Sequence, residues 1–250
     1  MKRFTRICTV FGGILLILGL VLAAAGYLMG AVGDIRVANQ APAREQKEHV
    51  ISANGMESLE VTAFSEDIRV EPSEDRDVHI RYTPREGWGY PITETKTAKG
   101  TTRVQFAATP PDHPSSHLVF FVSEPNPDIV ILLPKDYDGA LTVSTLSGDI
   151  TLSSVSAGDC ILSSTSGELD LTEVSAGKLQ AKSTSGDLDI SQAEIQDALQ
   201  LTSTSGDLEL AAVSAAEIAC TTTSGDIRLS GCRSGNTPRL QTTSGDIRED

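Results

Sequence analysis

Aromatic residues are scarce. Tryptophan occurs once, tyrosine four times and phenylalanine six times in 250 residues, 4% in all. Large rings usually supply much of a compact core, so something smaller and more regular must fill this one. Basic residues are also few: 20 Lys and Arg stand against 34 Asp and Glu, for a net charge of −14. Phosphate contacts need Lys and Arg, so nucleic acid is excluded as a partner. Cysteine occurs only as Cys8, Cys160, Cys220 and Cys232, with no Cys-x-x-Cys pair, which argues against a redox motif or a zinc site. The last three read as small core residues. Gly-rich phosphate loops and Gly-x-Ser-x-Gly elbows are absent. His113 and His117 lie four apart, but Pro114 stands between them and no Glu follows the first, so they do not form a zinc-protease helix. His49 and His79 stand singly in polar contexts and read as exposed. No catalytic residue, cofactor or metal is expected. With 39% hydrophobic residues the chain is nonetheless apolar enough to fold.

Charge divides the sequence. Residues 1–32 carry Lys2, Arg3 and Arg6 and no acid, residues 33–139 sum to −7, and residues 140–250 sum to −10. From Ile7 to Val32 no residue is charged, and about 20 apolar residues suffice to cross a bilayer as a helix. Bases before the run and Asp34 after it predict a cytoplasmic N-terminus and an exported remainder. A cleaved signal peptide is the alternative, since Ala23-Ala24-Ala25 matches a small-residue cleavage site. Either way the domain leaves the cytoplasm.

The informative feature is a repeat. Ser-Gly-Asp/Glu-Ile/Leu recurs six times, with Gly148, Gly167, Gly186, Gly206, Gly225 and Gly245 spaced 19, 19, 20, 19 and 20 residues apart. A fixed period near 20 marks stacked coils, each burying its apolar face against its neighbours. Aligned on Gly, the second position after it reads Ile150, Leu169, Leu188, Leu208, Ile227, Ile247, and the fifth before it reads Val143, Leu162, Ala181, Leu201, Cys220, Leu240. Further apolar columns stand four and seven after Gly and seven before it, the last broken by Pro238. Spacing of two is the strand period. The prediction is all-β: a parallel β-helix, or β-solenoid, of 19–20-residue turns over residues 140–250. Glycine at each corner is expected to supply a positive φ, and the Asp beside it to bond local amides as in an Asx turn. Thr145, Ser164, Ser183, Ser203, Thr222 and Thr242, three before Gly, are expected to point inward as a ladder of hydroxyls bonded between turns. The terminal Arg248-Glu249-Asp250 reads as charge guarding an open edge.

Positions one and three after Gly point outward together. They gather Glu168, Asp170, Asp187, Asp189, Asp207, Glu209 and Asp226 on one face, with Arg228 and Arg248 at its end. Carboxylates about 5 Å apart repel by roughly 0.8 kcal/mol in water, which a stable stack tolerates. The face has three readings: a solvated surface, a weak cation or partner site, or the acid pair of a glycosidase or lyase. The Gly-Gly-x-Gly-x-Asp repeat of calcium-binding β-rolls is absent.

Before the repeats, residues 33–50 read as a linker and 51–139 as a β-rich cap with irregular first turns. Strands are expected at Leu59–Val61, Ile68–Val70, Val78–Tyr82, Thr102–Phe106, Leu118–Val122 and Ile129–Leu133, and Ser65-Glu66-Asp67-Ile68 reads as a corner that has lost its Gly. Loops at Pro84–Gly100, holding Trp88 and Tyr90, and at Thr109–Ser116 complete the region.

Ile129-Val130-Ile131-Leu132-Leu133-Pro134, followed by Thr-Ser-Gly-Asp-Ile/Leu blocks behind a single N-terminal hydrophobic segment, resembles the bacterial putative-adhesin family of β-strand-repeat domains of unknown function. The likeness covers about residues 50–250. It implies a parallel β-solenoid in the bacterial cell envelope and brings no catalytic residue with it. The expected function is therefore a non-enzymatic, membrane-anchored binding or structural module outside the cytoplasm, with a cell-wall polymer or envelope protein as partner. Two alternatives stand beside it: a carbohydrate-active enzyme using the acidic face, and an accessory or sensor protein of an envelope-stress system.

Overall fold

A computed structural model of the chain describes residues 45–111 and 128–250. The expected membrane segment, His113, His117 and the strand at 118–122 lie outside these residues. Among the described residues there are twenty strands and no helix, hence none long and apolar enough to cross a membrane.

The regular part is a β-solenoid of about five turns. Its coils pair β8 (Ala140–Ser144) with β9 (Ile150–Ser153), β10 (Ser156–Ser163) with β11 (Leu169–Thr172), and β12 (Ser175–Lys182) with β13 (Leu188–Ser191). Then come β14 (Glu194–Thr202) with β15 (Leu208–Ala211), and β16 (Ser214–Thr221) with β17 (Ile227–Ser230). A looser last coil holds β18 (Arg233–Ser234), β19 (Arg239–Gln241) and β20 (Ile247–Glu249). The odd strands β9–β17 stack in parallel as one sheet, sheet A, and the even strands β8–β16 as sheet B. Register is strict: Leu169 faces Leu188, Leu188 faces Leu208, and Leu208 faces Ile227. Each is essentially excluded from water. Burying such a side chain contributes about 1.5–3 kcal/mol, so identical aliphatic columns replace the missing rings. The two 20-residue intervals have a local cause. β14 has nine residues against eight in β12 and β16, and its extra residue is a bulge between Ile195 and Ala198. Around Pro238, which has no N–H to donate, the chain splits into β18 and β19.

The earlier residues form β1 (Lys47–Ser52), β2 (Met56–Thr62), β3 (Ile68–Pro72), β4 (Asp77–Tyr82), β5 (Ile92–Lys96), β6 (Thr102–Ala107) and β7 (Ile129–Leu133). Stacking order departs from chain order here. The β2–β3 coil pairs with β8 and β9 on one side and with β6 and β7 on the other, so it lies between two coils that follow it in sequence. Antiparallel strands then finish both sheets: β4 and β1 on sheet A, β5 on sheet B.

Two expectations fail. Residues 47–50, read as linker, belong to β1, and the loop at 84–100 contains β5. Both are edge strands with little apolar surface to bury, β5 having four of its five residues exposed, so neither shows a clear alternation.

Candidate functional site

Each coil turns twice, and the two corners are built differently. At the Ser-Gly-Asp corner, glycine is required for closeness and not for dihedral freedom. None of the six corner glycines has a positive φ, which corrects the expectation. A Cβ on Gly186 would overlap the carbonyl oxygen of Gly167, and one on Gly206 that of Gly186. Backbone lies directly on backbone there.

The buried hydroxyls hold that contact together. Ser183 Oγ accepts the N–H of Gly186 at 2.9 Å and donates to the carbonyl of Gly167 in the preceding coil at 3.4 Å. Ser164 and Ser203 repeat the pattern, Thr222 and Thr242 make the donating half of it, and Thr145 accepts the N–H of Gly148 at 3.2 Å and donates at 3.5 Å to the carbonyl of Glu66. The hydroxyls thus bridge backbone to backbone and not one another, as a hydroxyl ladder would require.

The aspartates act between coils too. Asp149 Oδ1 accepts the N–H of Glu168 at 2.9 Å, Asp187 that of Asp207 at 2.8 Å, Asp207 that of Asp226 at 2.8 Å, and Asp226 that of Asp246 at 2.9 Å. These bonds span 19 or 20 residues, whereas an Asx turn is local. Glu168, one methylene longer, makes no such bond among the described residues.

The outward face gathers as expected in register: Asp170 faces Asp189, Asp189 faces Glu209, Glu209 faces Arg228, and Arg228 faces Arg248. Partial burial, then the charges of Glu209, Asp187, Asp170 and Glu168, push the Asp189 carboxyl above its ordinary value. Arg228 neutralises the far end, 2.7 Å from Asp226 and 3.3 Å from Asp207. Asp207 therefore has one oxygen on an amide and the other on a guanidinium. No group of three or more metal-ligating side chains is assembled among the described residues.

The opposite corner carries the positive φ. Ser154, Glu173, Gln192 and Ala212 all have φ between 53° and 56°, and Gly231 has 60°. Each donates its N–H to the next coil, as Glu173 does to Ser191 at 3.0 Å and Ala212 to Ser230 at 2.8 Å. Four of these five residues are not glycine, so Gly231 was the single signal of this column in the sequence.

Around the first coil the pattern is modified. Glu66 occupies the corner where later coils have Gly and is only 1% exposed. Glu66 Oε2 accepts the N–H groups of Phe64 and Ser65, and Oε1 lies 3.5 Å from Arg85. Arg85 also donates to Ser65 Oγ and stands 4.9 Å from the Trp88 ring, which meets Phe64 edge-on. Tyr90 stacks on Tyr82 at 4.7 Å. The two aromatics of the 84–100 loop are thus packed on the stack.

A groove of about 890 Å³ opens near the second corner of the first coils. Ser52, Asn54, Glu57, Arg76, Asp77, Lys99, Thr101, Asp136 and Asp138 line it, with Met56 and Tyr137 among them. Arg76 and Asp136 continue into a neighbouring hollow of about 440 Å³ with Glu74, Asp75 and Lys135. Sequence reasoning missed this groove, since its parts come from four separate connections. Cys160 and Cys220 are buried in the core and Cys232 partly so, all three free; burial pushes the first two thiols up to about 12.

The profile of the Toastrack domain, DUF4097, matches residues 56–249. The chain belongs to this family. Among solved structures, this Toastrack domain is similar to a putative adhesin from Bacteroides fragilis (14% identity, TM-score 0.47, 84% of this chain and 99% of that one). It is also similar to a putative cell adhesion protein from Clostridium sporogenes (9%, TM-score 0.42, 82% and 98%) and to a putative adhesin from Parabacteroides distasonis (13%, TM-score 0.34, 83% and 98%). No curated protein matches the chain.

Proposed function

We propose that this chain is a single-pass, membrane-anchored, extracytoplasmic β-solenoid that serves as an adhesin-like binding or structural module of the bacterial cell envelope. The uncharged run from Ile7 to Val32, with Lys2, Arg3 and Arg6 before it and Asp34 after it, supports an anchor with its N-terminus in the cytoplasm. Partner binding is assigned to the groove at the start of the stack. Its volume falls within the range of small-ligand sites, roughly 300–1,000 Å³. Its lining is polar and bears both signs of charge, which suits a hydrated cell-wall polymer better than an apolar molecule. That lining is the observation that carries the reading. On the acidic face Asp207 is a poor candidate for catalysis, because a general acid or base must be free to exchange a proton and both its oxygens are engaged.

The test is co-sedimentation of the protein with isolated cell walls, comparing the native chain with a double variant, Arg76→Glu and Lys99→Glu. Binding of the native chain that the double variant loses is the expected result. Equal binding by both removes the groove from the proposal, and no binding by either removes the polymer. Membrane fractionation and protease treatment of intact cells check the anchor: the C-terminal domain should sediment with membranes and be digested from outside.

A further inference from the structure

Strand β1 is the outermost strand of sheet A among the described residues, and β4 pairs with it on its inner side. Its outward anchor is Glu48. Glu48 Oε1 accepts Nε of Arg81 at 2.7 Å and lies 3.0 Å from Nδ1 of His79. The other ring nitrogen of His79, Nε2, lies 3.0 and 3.1 Å from the two carboxylate oxygens of Asp75, in the turn between β3 and β4. Asp75 is itself fixed by Ser73 Oγ and by the N–H of Asp77. The imidazole side chain is 14% exposed and touches a carboxylate with each nitrogen. Only the doubly protonated ring can donate to both. A neutral ring has one N–H, and its bare nitrogen then faces carboxylate lone pairs.

We infer that His79 is a proton-operated latch that ties edge strand β1 and the β3–β4 turn together when charged and releases β1 when neutral, the ring staying with Asp75, which meets it through both oxygens, rather than with Glu48, which meets it through one. Glu48 faces it from β1, Asp75 from the turn and Arg81 from β4, while its cross-strand neighbours Val50 and Leu132 are uncharged. Both carboxyls are held below their ordinary values here. The Asp77 amide, then His79 and Ser73, hold Asp75 down to about 2. Arg81, then His79, lower Glu48. His79 itself is raised above its ordinary 6.5, chiefly by Asp75, with burial opposing and Glu48 assisting. A raised histidine holds the latch fully closed below 6.5 and loses it as pH climbs through the raised value. A guanidinium keeps its charge over this range, which leaves His79 as the titrating member of the cluster.

Hydrogen exchange on the full-length chain in detergent micelles tests this. Protection factors of the β1 amides, read against those of β13, should fall about tenfold between roughly pH 5 and pH 9, the loss of one charge-assisted bond. The His79→Gln variant, which cannot titrate, should show a flat β1 profile while β13 keeps its protection. An NMR titration of the native His79 ring should have its midpoint above 6.5. A flat native profile, an equal slope in the variant, or a midpoint at or below 6.5 overturns the latch.

Discussion

The two corners of each coil solve the same problem, reversing the chain between sheets, by opposite means. At one, no residue has a positive φ and the demand is spatial: glycine carbonyls press on glycine α-carbons. At the other, the demand is on the angle, and serine, glutamate, glutamine and alanine meet it with positive φ. The left-handed region costs an ordinary residue about 1–2 kcal/mol, an amount that inter-coil bonding and buried aliphatic columns outweigh. Overlap with a neighbouring backbone has no such relief. A strict residue identity in a repeat therefore marks where main chains touch, and a loose one marks where a side chain still fits.

Four substitutions sharpen that contrast. The largest effect is expected from Gly186→Ala, which forces a methyl group into the carbonyl of Gly167. A loss of about 3–5 kcal/mol, measured by chemical denaturation, is expected from overpacking at a site that cannot relax; a loss below about 1 kcal/mol would contradict the closeness argument. Next comes Ser183→Ala. It leaves the N–H of Gly186 and the carbonyl of Gly167 without their hydroxyl partner, at about 1–3 kcal/mol. Exposed Ser185→Ala, two residues away, should stay within about 0.5 kcal/mol, and equal losses at the two serines would refute the bridge. At the second corner, Ala212→Gly should stabilise slightly, relief of the positive φ exceeding the entropy cost of glycine by a margin under about 1 kcal/mol. The reverse change at the first corner, Gly148→Ala or Gly225→Ala, should instead destabilise, since a Cβ there meets the carbonyl of Glu66 or of Gly206.

Asp189→Asn is expected to have the smallest effect, and its sign depends on pH. A carboxyl raised above 3.8 by burial and by its acidic neighbours opposes folding once it ionises. The amide variant should therefore melt slightly higher at neutral pH, and the difference should vanish below about pH 3.8, where the acid is protonated in both states. A lower melting temperature for the variant at pH 7 would mean that Asp189 holds something the face needs.

Much of this was legible in the sequence because a period of 19–20 repeats each inference six times. The aliphatic columns through Leu169, Leu188 and Leu208 follow from alternation and period alone, and the replacement of Gly by Glu66 is visible as a lapse in an otherwise regular corner. The reason for glycine was not legible. Local rules associate a turn glycine with φ, whereas the determining contact is with a residue 19 or 20 positions away. The long bonds of Asp187 and Asp207 escaped for the same cause. His79 looked solitary because Glu48 is 31 residues distant and reaches it only through the β1–β4 register. Edge strands β1 and β5 lacked a second buried face to impose a pattern.

The interleaved position of β2–β3 bears on biogenesis. Both of its flanking layers, β6–β7 and β8–β9, are made later. A nascent chain that has exposed Leu59, Val61, Ile68 and Val70 must keep one hydrogen-bonding border of their coil unmatched until Ile150 has been synthesised. Naked borders of this kind invite mispairing between molecules. The earliest-made coil is thus closed on both borders only once two later coils exist, and ribosomal order gives no head start to the end of the domain that is translated first.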